Sequence, residues 1–225
     1  MKKTVAVIGL GRFGLSLVNC LDKLNAEIIG VDFNMQAVAK AANYIQHVYF
    51  CDATKEEALR EAGIQNVEHA IVAIGQNDST KLVNTIVSVI MLKRIGVEKI
   101  TVRLDDDSYM DILKSIGATD FIEPVKIACE RIAHRIVIDN LIDYFNISKD
   151  YNICEIKLPE KFEAVAVRDL ADRIKAKVNI LLIHRGAKTF PPTADEELLP
   201  NDEIYIFGDK NSIAKITPLL AGPAE

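Results

Sequence analysis

Along the first half of the chain, short apolar runs alternate with stretches whose apolar residues recur at helical spacing. Residues 4–8 form the first run, and a helix pattern opens directly behind it. Residues 27–31 form a second, ending at Asp32. Residues 46–51 form a third. Residues 69–74 are wholly apolar after His69, as strands buried on both faces of a parallel sheet are. Residues 99–104 and 120–122 complete a set of six, and Pro124 closes the last. Between them lie signals for helices. Asn34 is placed to cap a helix over 35–43. Thr54-Lys55-Glu56-Glu57 reads as a capping box, and Gly63 stops the helix it opens. A long helix is capped by Asp78 or Ser79 and ended by Gly96. Ser108 caps a short one that ends at Gly117. Six such βα units predict an α/β fold, a doubly wound parallel sheet.

Residues 125–145 read as one helical stretch. Ile132, Ala133, Ile136, Val137, Leu141 and Phe145 recur at helical spacing and form a wide apolar stripe. Two readings fit it: a crossover or dimerisation helix, or a last helix lying on its own sheet. The pattern then changes. Strands are predicted over 151–157, 178–184 and 202–207, with a short helix over 167–174 and a last one over 211–220. Arg185-Gly186 makes a turn, Pro191-Pro192 a break, and the tail 221–225 is expected to fray. This is a second, smaller α+β domain. The organisation is therefore 1–125, a nucleotide-binding domain by the motifs below; 126–148, a crossover or dimerisation helix; and 149–225, an α+β lobe.

Length and composition narrow the function. With 225 residues and 49% hydrophobic content, the chain can bury a sizeable core. A formal net charge of −5 argues against broad nucleic-acid binding, which needs a basic surface. No apolar run approaches the length of a bilayer span, and the first strand starts too early for a signal peptide, so a cytoplasmic location is expected. Cys20, Cys51, Cys129 and Cys154 show no metal-like spacing and read as small buried apolar residues. No Ser-His-Asp or metal constellation can be assembled around His47, His69, His134 and His184.

The chemistry sits in Gly9-Leu10-Gly11-Arg12-Phe13-Gly14, a G-x-G-x-x-G that follows a strand and opens a helix. Gly9 allows the tight turn, Gly11 lets backbone approach a diphosphate, and Gly14 lets helix and strand pack closely. Asp32 stands where a ribose-binding acid is expected. Ligands on such sheets bind at the carboxyl ends of the strands, where Asp32, Asp52, Ala73-Ile74-Gly75 and Arg103 all fall. Asp52 fits either helix capping or a ribose or adenine contact. Asp105-Asp106-Asp107 reads as a solvated loop before a helix N-terminus, where negative charge is favourable.

These segments together resemble the RCK family, the regulators of potassium conductance, in particular its Ktr/Trk type. The likeness rests on residues 7–14, Val31-Asp32, Cys51-Asp52-Ala53-Thr54, Val72-Ala73-Ile74-Gly75 and Ile116-Gly117-Ala118-Thr119-Asp120. In the second lobe it rests on residues 179–183, Pro191 and Asn201-Asp202. The resemblance implies a Rossmann-like first domain that binds ATP or ADP, or alternatively NAD(H), without hydride chemistry. It implies a homodimer that assembles into a larger ring, docked on a potassium-translocating membrane subunit at the inner face of the membrane. Residue by residue, Gly9, Gly11 and Gly14 match the phosphate turn and Asp32 the ribose acid. Asp52 and Ala53 match the adenosine side, Ala73 and Ile74 the fourth strand end, and Arg103 a basic residue at the fifth. Arg12, beside Phe13, matches an arginine that reaches a phosphate. Some members bind cyclic di-AMP in the second lobe, where Arg168 and Arg173 could serve an anion or be solvated surface residues. Glu123-Pro124-Val125 departs from the Pro-Glu order of Ktr-type members, which argues against a divalent-cation site. The competing reading is an NAD(P)-dependent oxidoreductase, but the short second lobe offers no placed acid-base residue.

Overall fold

The computed structural model describes residues 2–76, 78–174 and 178–220, with backbone alone at 171–174. The chain divides into two compact units, Met1–Val125 and Lys126–Glu225. The first runs β1 (Thr4–Ile8), α1 (Arg12–Lys23), β2 (Glu27–Asp32), α2 (Met35–Ala41), β3 (His47–Phe50), α3 (Glu56–Glu61), β4 (His69–Val72), α4 (Ser79–Arg94), β5 (Lys99–Arg103), α5 (Met110–Ser115) and β6 (Asp120–Ile122). Its strands pair in parallel in the order β3-β2-β1-β4-β5-β6. Chain order reverses between β1 and β4, which sit side by side. Alternate residues of β1 face opposite layers, as the pleat requires. Ala6 and Ile8 join Val72, Leu92, Ile100 and Leu113 in one core. Val7 joins Leu10, Val18, Ile28 and Ala41 in the other.

The caps follow local chemistry. Asn34 accepts the Gln36 amide at 2.9 Å and starts α2. Asp78 accepts the Lys81 amide at 2.9 Å and starts α4. Two expected caps are corrected. Lys55, not Thr54, stands at the N-cap of α3. Thr54 is instead drawn back by Asp52, which accepts from both its amide and its hydroxyl. Asp106, not Ser108, caps the 3-10 turn Asp107–Tyr109 that precedes α5, accepting the Ser108 amide at 2.9 Å.

The second unit holds α6 (Pro124–Val137, whose first two residues fall in the first unit), β7 (Leu141–Asn146), β8 (Tyr151–Lys157), β9 (Val165–Ala166), α7 (Val167–Ile174), β10 (Val178–Arg185), β11 (Lys188–Phe190), β12 (Glu197–Leu198), β13 (Glu203–Asp209) and α8 (Lys210–Leu220). A five-stranded sheet in the order β11-β10-β13-β8-β7 is antiparallel throughout. Ile213, Ile216 and Leu220 of α8 join Cys154, Ile156, Ile204 and Ile206 in its core. Arg185 donates to the buried Asp202 through Nε and Nη2, each at 2.8 Å. The tail 221–225 and the Arg173 side chain lie outside the described residues.

The single helix expected over 125–145 is also corrected. It ends at Val137, and Leu141–Asn146 is a strand. Asn140 breaks the helix: it takes a left-handed φ of 61°, and its amide nitrogen donates to Lys157 O and Leu220 O. Leu141 and Phe145 are four apart, which mimics helical spacing, yet Leu141 and Tyr144 are buried under the second sheet. Four contacts brace α6 to β7, one of them the Arg131 guanidinium 4.9 Å from the Phe145 ring centroid. Arg131 pairs with Asp143, Asn146 Nδ2 donates to Glu130 Oε2 at 3.0 Å, and the His134 ring stacks on Tyr144 with centroids 3.7 Å apart. The outer part of the apolar stripe stays uncovered: Ile136 is 76% and Val137 80% exposed.

The cysteines divide into two kinds. Cys51 and Cys154 are buried, and burial pushes their thiols up to about 11 and about 12. Cys20 and Cys129 are exposed, contrary to the expectation that all four are core residues.

Candidate functional site

The three fingerprint glycines do different work. Gly9 has a φ of 95°, and its amide donates to Val31 O at 2.8 Å. A Cβ there would press on Ile74 at 3.1 Å and approach the Ala73 carbonyl carbon at 3.4 Å, so the end of β4 packs against the turn. At Gly14 a Cβ would fall 1.9 Å from Gly9 O, an outright overlap. At Gly11 a Cβ would meet no protein atom within 4 Å. Space in front of the α1 N-terminus is therefore open. That terminus has neither a side-chain cap nor an acid in its first turn. Its first amides and the helix dipole face an open position and favour an anion there. Arg12 is exposed at the same end.

Asp32 ties the second strand end to this turn. Its Oδ2 accepts the Leu10 amide at 2.6 Å and its Oδ1 the Asn34 amide at 2.7 Å. Each carboxylate oxygen offers two acceptor positions, so each keeps one for a ligand hydroxyl. The next strand end follows, with the Cys51 amide on Asp32 O at 3.0 Å. Asp52 accepts from Thr54, at 3.0 Å from its amide and 2.7 Å from its hydroxyl, and Ala53 is buried beside it. Asp52 thus closes a turn ahead of α3 rather than capping the helix. On the other side of the turn, the Ala73 amide donates to Ile8 O at 2.7 Å.

Arg103 is brought to the turn through Phe13: its guanidinium carbon lies 5.5 Å from the Phe13 ring centroid. It is already paired. Asp105 Oδ1 accepts from Arg103 Nε at 2.8 Å and sits 2.8 Å from Nη2. Asp105 is thus an engaged residue rather than part of a solvated loop, which corrects the expectation for the acidic triple. Its holder is Gln76, which sequence reasoning missed. The Gln76 amide donates to Asp105 Oδ2 at 2.9 Å. Gln76 Oε1 accepts the Asp105 amide at 3.0 Å, and Gln76 Nε2 donates to Arg103 O at 2.7 Å. A lone glutamine after a strand gives no sequence signal of such a role. In the second unit, Arg168 is exposed and pairs with Asp169 and Asp195.

Comparison with known proteins bears on this arrangement. Residues 5–124 match the TrkA-N domain and residues 153–221 the TrkA-C domain. The chain is 34% identical over 216 residues to the Ktr system potassium uptake protein C of Bacillus subtilis (strain 168), covering 96% of both chains. The chain belongs to the RCK family, of the Ktr/Trk type. The Ktr system potassium uptake protein A of the same organism is 33% identical over 214 residues, with 95% of each chain covered. The RCK fold is also shown by a solved GsuK channel bound to NAD, with a TM-score of 0.66 at 13% identity. That match covers all of this chain and 40% of the other, so the chain spans less than half of that protein. The two Ktr relatives are potassium uptake proteins by name. Among the described residues no helix is long and apolar enough to cross a membrane.

Proposed function

We propose that this RCK chain is a cytoplasmic, non-enzymatic regulatory subunit that binds an adenine nucleotide and gates a potassium-translocating membrane subunit. The ligand is ATP or ADP, with NAD(H) as the alternative. One observation carries the nucleotide reading: the first-turn amides of α1 face open space in front of Gly11, where an added Cβ meets no protein atom within 4 Å. The diphosphate would lie there, the ribose hydroxyls on Asp32, and the adenosine toward Asp52 and Ala53. Ala73 and Ile74 form the wall at the fourth strand end. A bound nucleotide supplies charge and hydroxyls at an interface; this chain's residues hold and orient it. Gating requires that the nucleotide bind two arrangements of the subunits with different affinity. The uncovered apolar side of α6, with Ile136 and Val137 exposed, supports self-association as a homodimer within a larger ring, at the inner face of the membrane. In the second lobe, the carboxylates already on Arg168 favour a solvated role over a cyclic di-AMP contact.

The test is to identify the nucleotide carried by the purified chain and then to titrate ATP, ADP and NAD by calorimetry. A Cβ at Gly11 meets no protein atom within 4 Å, so Gly11→Val should fold normally, while its side chain fills the ligand's space and should abolish binding. Equal binding by wild type and Gly11→Val would overturn the assignment. NADH whose absorbance stays constant with candidate ketones would speak against the oxidoreductase reading.

A further inference from the structure

We infer that Asp105, held by Gln76, is a specificity-determining residue that restrains the site's preference for a long phosphate tail. The inference rests on the nucleotide reading above and deepens it. The observation is that the cation nearest the glycine turn on the β4–β5 side is not available as a bare charge. Asp105 Oδ1 takes the Nε and Nη2 edge of Arg103, and both side chains are largely shielded, at 20% and 21% exposure. A carboxylate so placed does two things to an incoming phosphate. It removes part of the guanidinium fork that would otherwise grip the phosphate oxygens. It also adds a negative charge that repels them.

An aspartate on a loop could swing away when a stronger anion arrives. Gln76 prevents this. It is buried, at 8% exposure, and it grips Asp105 twice, by donating to the carboxylate and by accepting the Asp105 amide. Its side-chain nitrogen also fixes the Arg103 carbonyl. Hydrogen bonds shielded from water are costly to break without replacement. The three residues therefore form one closed hydrogen-bonded clamp between the ends of β4 and β5. The clamp engages Arg103 through Nε and Nη2, which leaves the Nη1 edge for a ligand. What the clamp changes is the increment per added phosphate. AMP, ADP and ATP should rise in affinity less steeply than a site with an unpaired arginine would give. A dinucleotide, whose second half carries hydroxyls and an amide instead of terminal phosphates, is disfavoured less.

The experiment measures Kd for AMP, ADP, ATP and NAD by calorimetry on the full chain. Asp105→Asn keeps an oxygen for the Gln76 amide but releases the arginine charge. It should raise the ATP-to-AMP affinity ratio by about tenfold, with NAD affected less. Adding Arg103→Gln to that variant should remove the gain. Gln76→Ala loosens the clamp and should raise the ratio by a smaller factor. Asp105→Ser releases the same charge and carries the test if the amide variant does not fold. An unchanged ATP-to-AMP ratio in variants that still bind AMP overturns the inference alone. A gain that persists without Arg103 also overturns it. A wild-type chain that binds none of the four ligands overturns the nucleotide reading, and the inference with it.

Discussion

The Leu10 amide lies 2.6 Å from Asp32 Oδ2, so the residue read as a ribose ligand is also a brace of the glycine turn. The two roles separate by substitution. Asp32→Ala should weaken adenine-nucleotide binding by about 1.5–3 kcal/mol, the worth of hydrogen bonds to a charged group, and should also lower the melting temperature. Asp32→Asn keeps one acceptor for the turn and should recover more stability than affinity. Calorimetry and thermal melts on the two variants check this. Wild-type affinity in Asp32→Ala would remove Asp32 from the ligand site.

Arg12 stands exposed at the open end of α1. Arg12→Ala should weaken ATP more than AMP, because only the longer tail extends to the guanidinium. Parallel titrations of the two ligands decide it. Equal weakening would mean that Arg12 supports the loop rather than the phosphates.

Ile136 and Val137 leave a greasy stripe in water on the isolated chain, and such patches are normally covered by a partner. Ile136→Glu should shift the chain toward monomer in light scattering with little change in melting temperature. A wild type that is monomeric at micromolar concentration, with and without nucleotide, would refute the dimer.

His69 supplies a pH dependence. Its Nε2 lies 2.7 Å from Thr101 Oγ1. Burial first, then the nearby Lys3 and Lys99, hold its pKa below the ordinary 6.5. In the window just below 6.5 the unfolded chain therefore takes up a proton that the folded chain refuses. Its contribution to stability is complete above that value and declines as pH falls through the window. Thermal melts between about pH 7.5 and about pH 5.5 should show this decline. His69→Gln, which keeps a partner for Thr101, should flatten it. An unchanged slope would place the proton elsewhere.

Much of the first unit is legible in the sequence because its inner strands β1, β4 and β5 are largely buried and read as continuous apolar runs. The caps at Asn34 and Asp78 are legible because the hydrogen bond is local. Thr54 and Ser108 mislead because an aspartate two residues earlier, Asp52 or Asp106, accepts the amide of Thr54 or Ser108 itself and draws that residue into a turn. The 141–146 segment misleads because four-residue spacing suits a helix and an irregular strand alike, although its sheet partner Tyr151–Lys157 follows directly, after residues 147–150. At the site, the glycines and Asp32 carry a recognisable pattern. Gln76 and Asp105 do not, since their pairing spans 29 residues and exists only once β4 and β5 lie side by side.

The contacts between α6 and β7 have a mechanical consequence. A helix joined to an edge strand at Glu130, Arg131 and His134 cannot roll independently of the sheet that contains that strand. From Glu130 onward, α6 and the five-stranded sheet therefore act as one lever arm. A partner pressing on Ile136 applies its torque to the whole second unit.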